Sequence, residues 1–208
     1  GVDLPQGKNL MGSFHPPAMI VSDPELLSTL PSAEYTSGLA EVVKHGIIAD
    51  ADLFDQLPGS LPLSGEMLQR AMQVKIDIVQ RDPLEQGERA KLNHGHTIGH
   101  GIEAASGYRL RHGEAIAIGM VAEARLAEQL GKAESGLSEK IAATLHDLGL
   151  PVQARDLDAQ LIRTIMQADK KKRTGQLQFA LPVAIGTVEY GLTAPDEVVR
   201  EVIESVIG

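Results

Sequence analysis

Four of the seven histidines in this 208-residue chain fall between residues 94 and 112. Imidazoles gathered this way, with a carboxylate, are the ligand types of a catalytic zinc that keeps one position open for substrate. His96 and His100 are four apart, the spacing at which two imidazoles of one helix face the same way and can grip a metal. Polar packing or helix capping is the other use of such a pair. His112 opens the run His112-Gly113-Glu114 at the start of a helical stretch, where it either points into a cleft or caps the helix. Glu41 and Lys44 are three apart on a predicted helix, so a metal-binding carboxylate and an anion-pairing ammonium can serve one site. An ordinary surface pair has the same spacing. Spacing alone therefore offers more candidates than a three-ligand site uses.

Most of the chain from Ser22 onward reads as helix. Asp23-Pro24-Glu25 sets an N-terminus, and Leu30-Pro31 ends that short segment. Leu39, Val42, Val43, Ile47 and Ile48 recur at helical spacing to about Ala49. Phe54 and Leu57 suggest a brief helix closed by Pro58-Gly59. Leu68, Ala71, Met72, Lys75, Ile76 and Val79 describe another helix, capped by Ser64. Leu137, Ile141, Leu145 and Leu148 form a stretch ending at Gly149, and Leu157, Leu161, Ile162 and Ile165 continue the bundle. Only Ala18 to Val21 and Leu177 to Tyr190 look like strand, the latter as a hairpin turning near Ala184 to Gly186. Glycines 95, 99, 101 and 107 crowd one segment, and inside a helix each costs about 1 kcal/mol relative to alanine. Close approach of a neighbouring backbone or ligand would explain them, and a loop-rich segment is the alternative. The expected architecture is mainly α, a multi-helix domain with a small β element.

Composition removes several function classes. A net charge of -9 argues against nucleic acid or an anionic membrane surface as the main partner, although an acidic whole can contain a basic pocket for a small anion. Without cysteine there is no disulfide framework, and any metal must be held by nitrogen and oxygen. No apolar run approaches the roughly 20 residues of a membrane span and no signal peptide is recognisable, so a cytoplasmic location is expected. The opening Gly1-Val2-Asp3-Leu4-Pro5-Gln6-Gly7-Lys8-Asn9 has no initiator methionine and reads like the interior of a loop, as if continuing a longer chain. Aromatic residues are only 3% of the total, so the core must be built from Leu, Ile, Val, Ala and Met.

Five blocks together resemble a known family: Gly7-Lys8-Asn9-Leu10, Gly38-Leu39-Ala40-Glu41-Val42-Val43-Lys44, Asp82-Pro83-Leu84-Glu85-Gln86-Gly87, Leu92 to Glu103, and His112-Gly113-Glu114. In order and spacing they look like the carboxy-terminal half of 3-dehydroquinate synthase, over about residues 1 to 190. The resemblance implies the multi-helix carboxy-terminal domain of the dehydroquinate synthase-like fold across residues 1–208, without the amino-terminal NAD domain that precedes it in the family. It implies zinc, or another divalent metal, on Glu41, His96 and His112, which makes His100 a substrate-site residue. Lys44, Lys75, Arg89 and Asn93 would hold the substrate's carboxylate and hydroxyls. Asn9, His100 and one of Lys170 and Lys171 would hold its phosphate, while Lys8 and Thr29 match positions that touch the dinucleotide. A solvated basic patch is the other reading of Lys170 to Arg173.

The family's reaction belongs to the shikimate pathway. It converts 3-deoxy-D-arabino-heptulosonate 7-phosphate into 3-dehydroquinate and phosphate, through transient oxidation by NAD, phosphate elimination, re-reduction and aldol closure. The resemblance further implies a homodimer for the full-length protein, and an isolated 208-residue chain that binds NAD poorly and is inactive. Sugar-phosphate cyclases of secondary metabolism share fold, zinc and NAD, but Arg89, Asn93 and His100 suit a carboxylate-bearing substrate and favour the dehydroquinate reading. A noncatalytic helical metal-binding or interaction module is the alternative from a different class.

Overall fold

The structure, a computed structural model, describes residues 1–4, 7–13, 15, 17–173 and 177–208, with the side chains of residues 3, 7–10 and 169–173 outside the description. Its centre is a helix that is buried nearly all round. This helix, α5 in chain order, runs His112–Gln129, and every residue from Ala115 to Ala124 is buried. A helix apolar on all faces must be enclosed by others. Around it lie α1 (Ser32–Ala49), α2 (Ala51–Gln56), α3 (Gly65–Arg81), α4 (His96–Ala105), α6 (Leu137–Asp147), α7 (Ala159–Arg173) and α8 (Asp196–Ser205). Strands β3 (Phe179–Ala184) and β4 (Thr187–Leu192) form an antiparallel hairpin, and β3 packs on α5.

Local chemistry explains the main boundaries. The Asp23 side chain accepts from the Glu25 N–H and Pro24 starts the turn, so the segment Pro24–Thr29 winds as a 3-10 helix that stops at Leu30. Ser64 caps α3 by accepting from the Met67 N–H. Asp50 closes α1 and caps α2, where its side chain accepts from the Leu53 N–H. The β3–β4 turn falls at Ile185-Gly186, where Gly186 has φ +86° and donates its N–H to the Ile47 carbonyl.

Small residues let the central helices touch. A Cβ on Gly119 would lie 2.1 Å from the Gly95 carbonyl oxygen and 2.7 Å from the Gly99 nitrogen. One on Gly113 would lie 1.8 Å from the Ser37 carbonyl oxygen. Backbone therefore meets backbone between α4 and α5, and between α5 and α1. Gly99 and Gly101 are helical and closely approached, Gly95 is closely approached as the left-handed N-cap of α4 at φ +79°, and Gly107 stands open at φ +63° after the helix has ended.

Two expectations need correction. Ala18 to Val21 is not a strand, since no partner strand lies beside that exposed segment among the described residues. The second β element is instead the amino-terminal hairpin of β1 (Val2–Leu4) and β2 (Gly7–Met11). On α3 the buried residues are Met67, Ala71, Val74 and Ile78, one step round from the expected stripe, which leaves Met72 and Ile76 exposed and turns Lys75 toward a cleft.

Candidate functional site

The cleft is about 400 Å³ and is lined by Glu41, Lys44, His45, Lys75, Glu85, Arg89, Leu92, Asn93, His96 and His112. Four helices and one connecting segment build it. Helix α1 supplies Glu41, Lys44 and His45, and α3 supplies Lys75. The segment between α3 and α4 supplies residues 85–93, and the starts of α4 and α5 bring His96 and His112 to the same wall.

Each imidazole is oriented from behind. The His96 Nδ1 donates to the His94 carbonyl at 3.1 Å, so a neutral ring carries its lone pair on Nε2. That Nε2 stands 3.5 Å from Glu41 Oε1. The His112 Nδ1 lies 3.3 Å from Glu103 Oε2, and its Nε2 is 3.8 Å from the same Glu41 oxygen. Burial, reinforced by the neighbouring Lys44 charge, pushes the His96 pKa down to about 3, so the ring is neutral at ordinary pH. Burial pushes the Glu41 carboxyl upward, but the Lys44 charge and hydrogen bond, with His96, outweigh it and hold the pKa at about 2.

Glu41 Oε1 is buried and has no hydrogen-bond partner. Its sister Oε2 accepts from Lys44 Nζ at 2.5 Å. A carboxylate oxygen facing the lone pair of the neutral His96 ring is repulsive unless a cation lies between them, and the His112 Nε2 stands beside the same oxygen. This nitrogen and oxygen set fits a divalent metal of the zinc type. A second geometric set exists, because ligand atoms of His96, His100 and His112 all lie within 4.8 Å of one another. The His100 ring centroid is 5.2 Å from that of His96, so the two do share a face of α4.

Of the cationic side chains expected at one site, Lys44, Lys75 and Arg89 are brought together here. Lys44 is buried, which lowers its pKa against the raising effect of Glu41. Lys75 and Arg89 border the same cleft, with Arg89 donating to the Pro83 carbonyl at 2.9 Å. Asn93 Nδ2 lies 3.4 Å from Glu85 Oε1. Asp82 fastens the approach, since its carboxylate accepts from the N–H groups of Gln86, Gly87 and Arg89 at 2.9, 2.8 and 3.0 Å. Thr29 is exposed on the 3-10 helix, its hydroxyl donating to the Leu26 carbonyl at 2.8 Å. The side chains of Lys8, Asn9, Lys170 and Lys171 lie outside the described residues.

Four supporting residues escaped sequence reasoning. Glu123, fully buried, accepts from the N–H groups of Gly95 at 2.7 Å and Ile98 at 3.2 Å, which caps α4 from another helix. His94, also fully buried, places Nδ1 3.0 Å from the Ala180 carbonyl and 3.4 Å from Glu123. His45 is buried, and its pKa falls to about 4 through burial and the Lys44 charge. Glu103 was legible in principle, since it lies seven residues after His96 and so continues the helix face of His96 and His100.

Fold and cleft together define a dehydroquinate synthase-like domain. The chain superposes on 2-epi-5-epi-valiolone synthase of Streptomyces hygroscopicus, solved with NAD+ and Zn2+, with a TM-score of 0.87 at 27% identity over 99% of this chain and 60% of that one. For 2-deoxy-scyllo-inosose synthase, solved with carbaglucose-6-phosphate, NAD+ and Co2+, the TM-score is 0.82 at 26% identity over 98% and 61%. Residues 38–172 match the 3-dehydroquinate synthase C-terminal family and residues 1–37 the 3-dehydroquinate synthase N-terminal family. The chain belongs to the 3-dehydroquinate synthase family. It is 43% identical over 216 residues to 3-dehydroquinate synthase of Nostoc punctiforme, covering 98% of this chain and 60% of the relative. Against the Xanthomonas campestris enzyme the figures are 42% over 217 residues, 97% and 59%. The chain thus spans about three fifths of the length of these curated relatives. No described helix is long and apolar enough to cross a membrane.

Proposed function

We propose that this chain is the metal- and substrate-binding part of a 3-dehydroquinate synthase, acting on 3-deoxy-D-arabino-heptulosonate 7-phosphate in the shikimate pathway. One observation carries the reading: the Nε2 atoms of His96 and His112 converge on one buried, unpartnered oxygen of Glu41, at the wall of a cleft that also holds Lys44, Lys75 and Arg89. Glu41, His96 and His112 would hold a divalent metal, with zinc suited to this ligand set. When bound, it supplies Lewis-acid polarisation of vicinal substrate oxygens.

The protein's own groups bind and orient. Lys44, Lys75 and Arg89 meet the substrate's negative charge, and Asn93 presents an amide to its hydroxyls. Water is displaced from a cleft whose cations are then worth more against an anion than they are in bulk solvent. His100 stands beside His96, where it would contact phosphate together with Asn9 and Lys170 or Lys171. NAD would rest chiefly on the part of the full-length relatives beyond the matched three fifths, with Lys8 and Thr29 at its edge. The 208-residue chain alone is therefore expected to be inactive, and the full-length protein to be a homodimer working in the cytoplasm.

Metal content of His96→Ala, His112→Ala and His100→Ala, after stripping and reloading with zinc, tests the ligand set. The first two should lose the metal and the third should keep it. Retention by His112→Ala with loss by His100→Ala would overturn the assignment in favour of another set. Full-length protein should release phosphate from the heptulosonate phosphate. Turnover only of a sugar phosphate lacking the carboxylate would move the protein to the related cyclases, and no turnover of either would leave a noncatalytic module.

A further inference from the structure

Among the three candidate ligands, His112 is the one that packing does least to hold. Its side chain is 45% exposed, against 15% for His96, and it is the first residue of α5, where no preceding helical turn restrains it. A free imidazole there would sample several rotamers and both tautomers, and only one combination aims a lone pair at Glu41. The fixed contact on the ring's far side is Glu103, whose side chain is 9% exposed and whose Oε2 lies 3.3 Å from His112 Nδ1. Glu103 is itself held in place on α4, packed within the core that α4 shares with α5.

Hydrogen-bond logic then fixes the ring. A carboxylate oxygen can only accept, so Nδ1 must carry the proton, and in the tautomer able to bind a metal Nε2 is the ligating lone pair on the side of Glu41 and His96. The negative charge of the acceptor also raises the donor strength of the ring toward a cation. His96 has the same arrangement with a backbone carbonyl in place of the carboxylate. We propose that Glu103 is a positioning residue that sets the tautomer and direction of His112 for metal binding. This rests on His112 being a metal ligand, as proposed above.

The test uses this chain, loaded with Zn2+ in competition with a chromophoric chelator and, separately, with Co2+ read by its visible absorption. Glu103→Ala should weaken zinc binding by about 10–100-fold and alter the Co2+ bands, because one ligand is no longer preset. Glu103→Gln keeps an oxygen able to accept from Nδ1 and should recover most of the affinity with near-normal bands. It also serves as the decisive variant if the alanine protein does not fold, since a glutamine affinity reduced tenfold or more would then count against the proposal. Wild-type affinity in Glu103→Ala, or equal losses in both variants, would likewise overturn it. His112→Ala separates the two readings: if it binds zinc like the wild type, the ligand assignment itself has failed, whereas loss there with no change in Glu103→Ala sinks only the role of Glu103.

Discussion

Replacing Glu123 should cost more stability than replacing any residue of the cleft. Its carboxylate is wholly enclosed and accepts from the Gly95 and Ile98 N–H groups, at the start of α4 where Gly95 has no side chain to cap with. In Glu123→Ala both donors lose their acceptor, and each unpaired buried N–H costs about 1–3 kcal/mol. Loss of a negative charge at a helix N-terminus adds up to about 2 kcal/mol in buried geometry. A total of about 2–8 kcal/mol compares with about 5–15 kcal/mol for a whole domain, so the alanine protein is expected to be severely destabilised. Glu123→Gln is the more informative change. Its amide keeps one acceptor but aims an NH2 group at the other N–H, which predicts a loss of about 2 kcal/mol. With a urea slope of about 2 kcal/mol/M, the unfolding midpoint should fall by about 1 M with the slope unchanged. A midpoint within ~0.2 M of the wild type would show that the carboxylate is not what holds α4.

Two further outcomes follow from the same geometry. Gly119→Ala puts a methyl group 2.1 Å from the Gly95 carbonyl oxygen, backbone that cannot rotate away. It should either abolish soluble expression or lower the melting temperature sharply, whereas Gly131→Ala, with open space around it, should show only the strain of its φ of +65°. Asp82 has a folded pKa below its ordinary 3.8, held there by backbone donors led by Arg89. Its ordering of residues 86–89 is thus complete above pH 3.8 and is lost as pH falls through the lower folded value. Amide exchange at Gln86, Gly87 and Arg89 should accelerate only in that acid range in the wild type, but already at neutral pH in Asp82→Ala. Unchanged exchange in the variant would mean that other contacts hold the segment.

Periodicity in the sequence located α1, α6, α7 and the β3–β4 hairpin because each repeats apolar residues at a clean spacing. It gave the wrong face of α3, where Met72 and Ile76 are as apolar as the buried Val74 and Ile78, and only the neighbouring helices decide which set is covered. It gave Ala18 to Val21 as strand because four apolar residues in a row satisfy strand and exposed coil alike. The cleft residues Glu41, Lys44, Lys75, Arg89, Asn93, His96 and His112 were legible through motif order and do line one cavity. Their supports were not. Glu123 meets Gly95 across 28 residues and His94 meets Ala180 across 86, contacts that leave no local signature.

The glycine contacts between α1, α4 and α5 have a consequence for how such a protein can diversify. Glu41, His96 and His112 sit on three helices whose main chains touch, at Gly113 against Ser37 and at Gly119 against Gly95 and Gly99. The spacing of the ligands is therefore inherited from main-chain contact, and drift in the surrounding side chains leaves it alone. The segment bearing Glu85, Arg89 and Asn93 is instead held largely by side chains, through Asp82 accepting from residues 86, 87 and 89 and Glu88 pairing with Arg81 and Lys91. Mutations there can reshape what the cleft accepts while the metal-holding corner stays as it was, so substrate choice and metal chemistry are free to evolve at different rates.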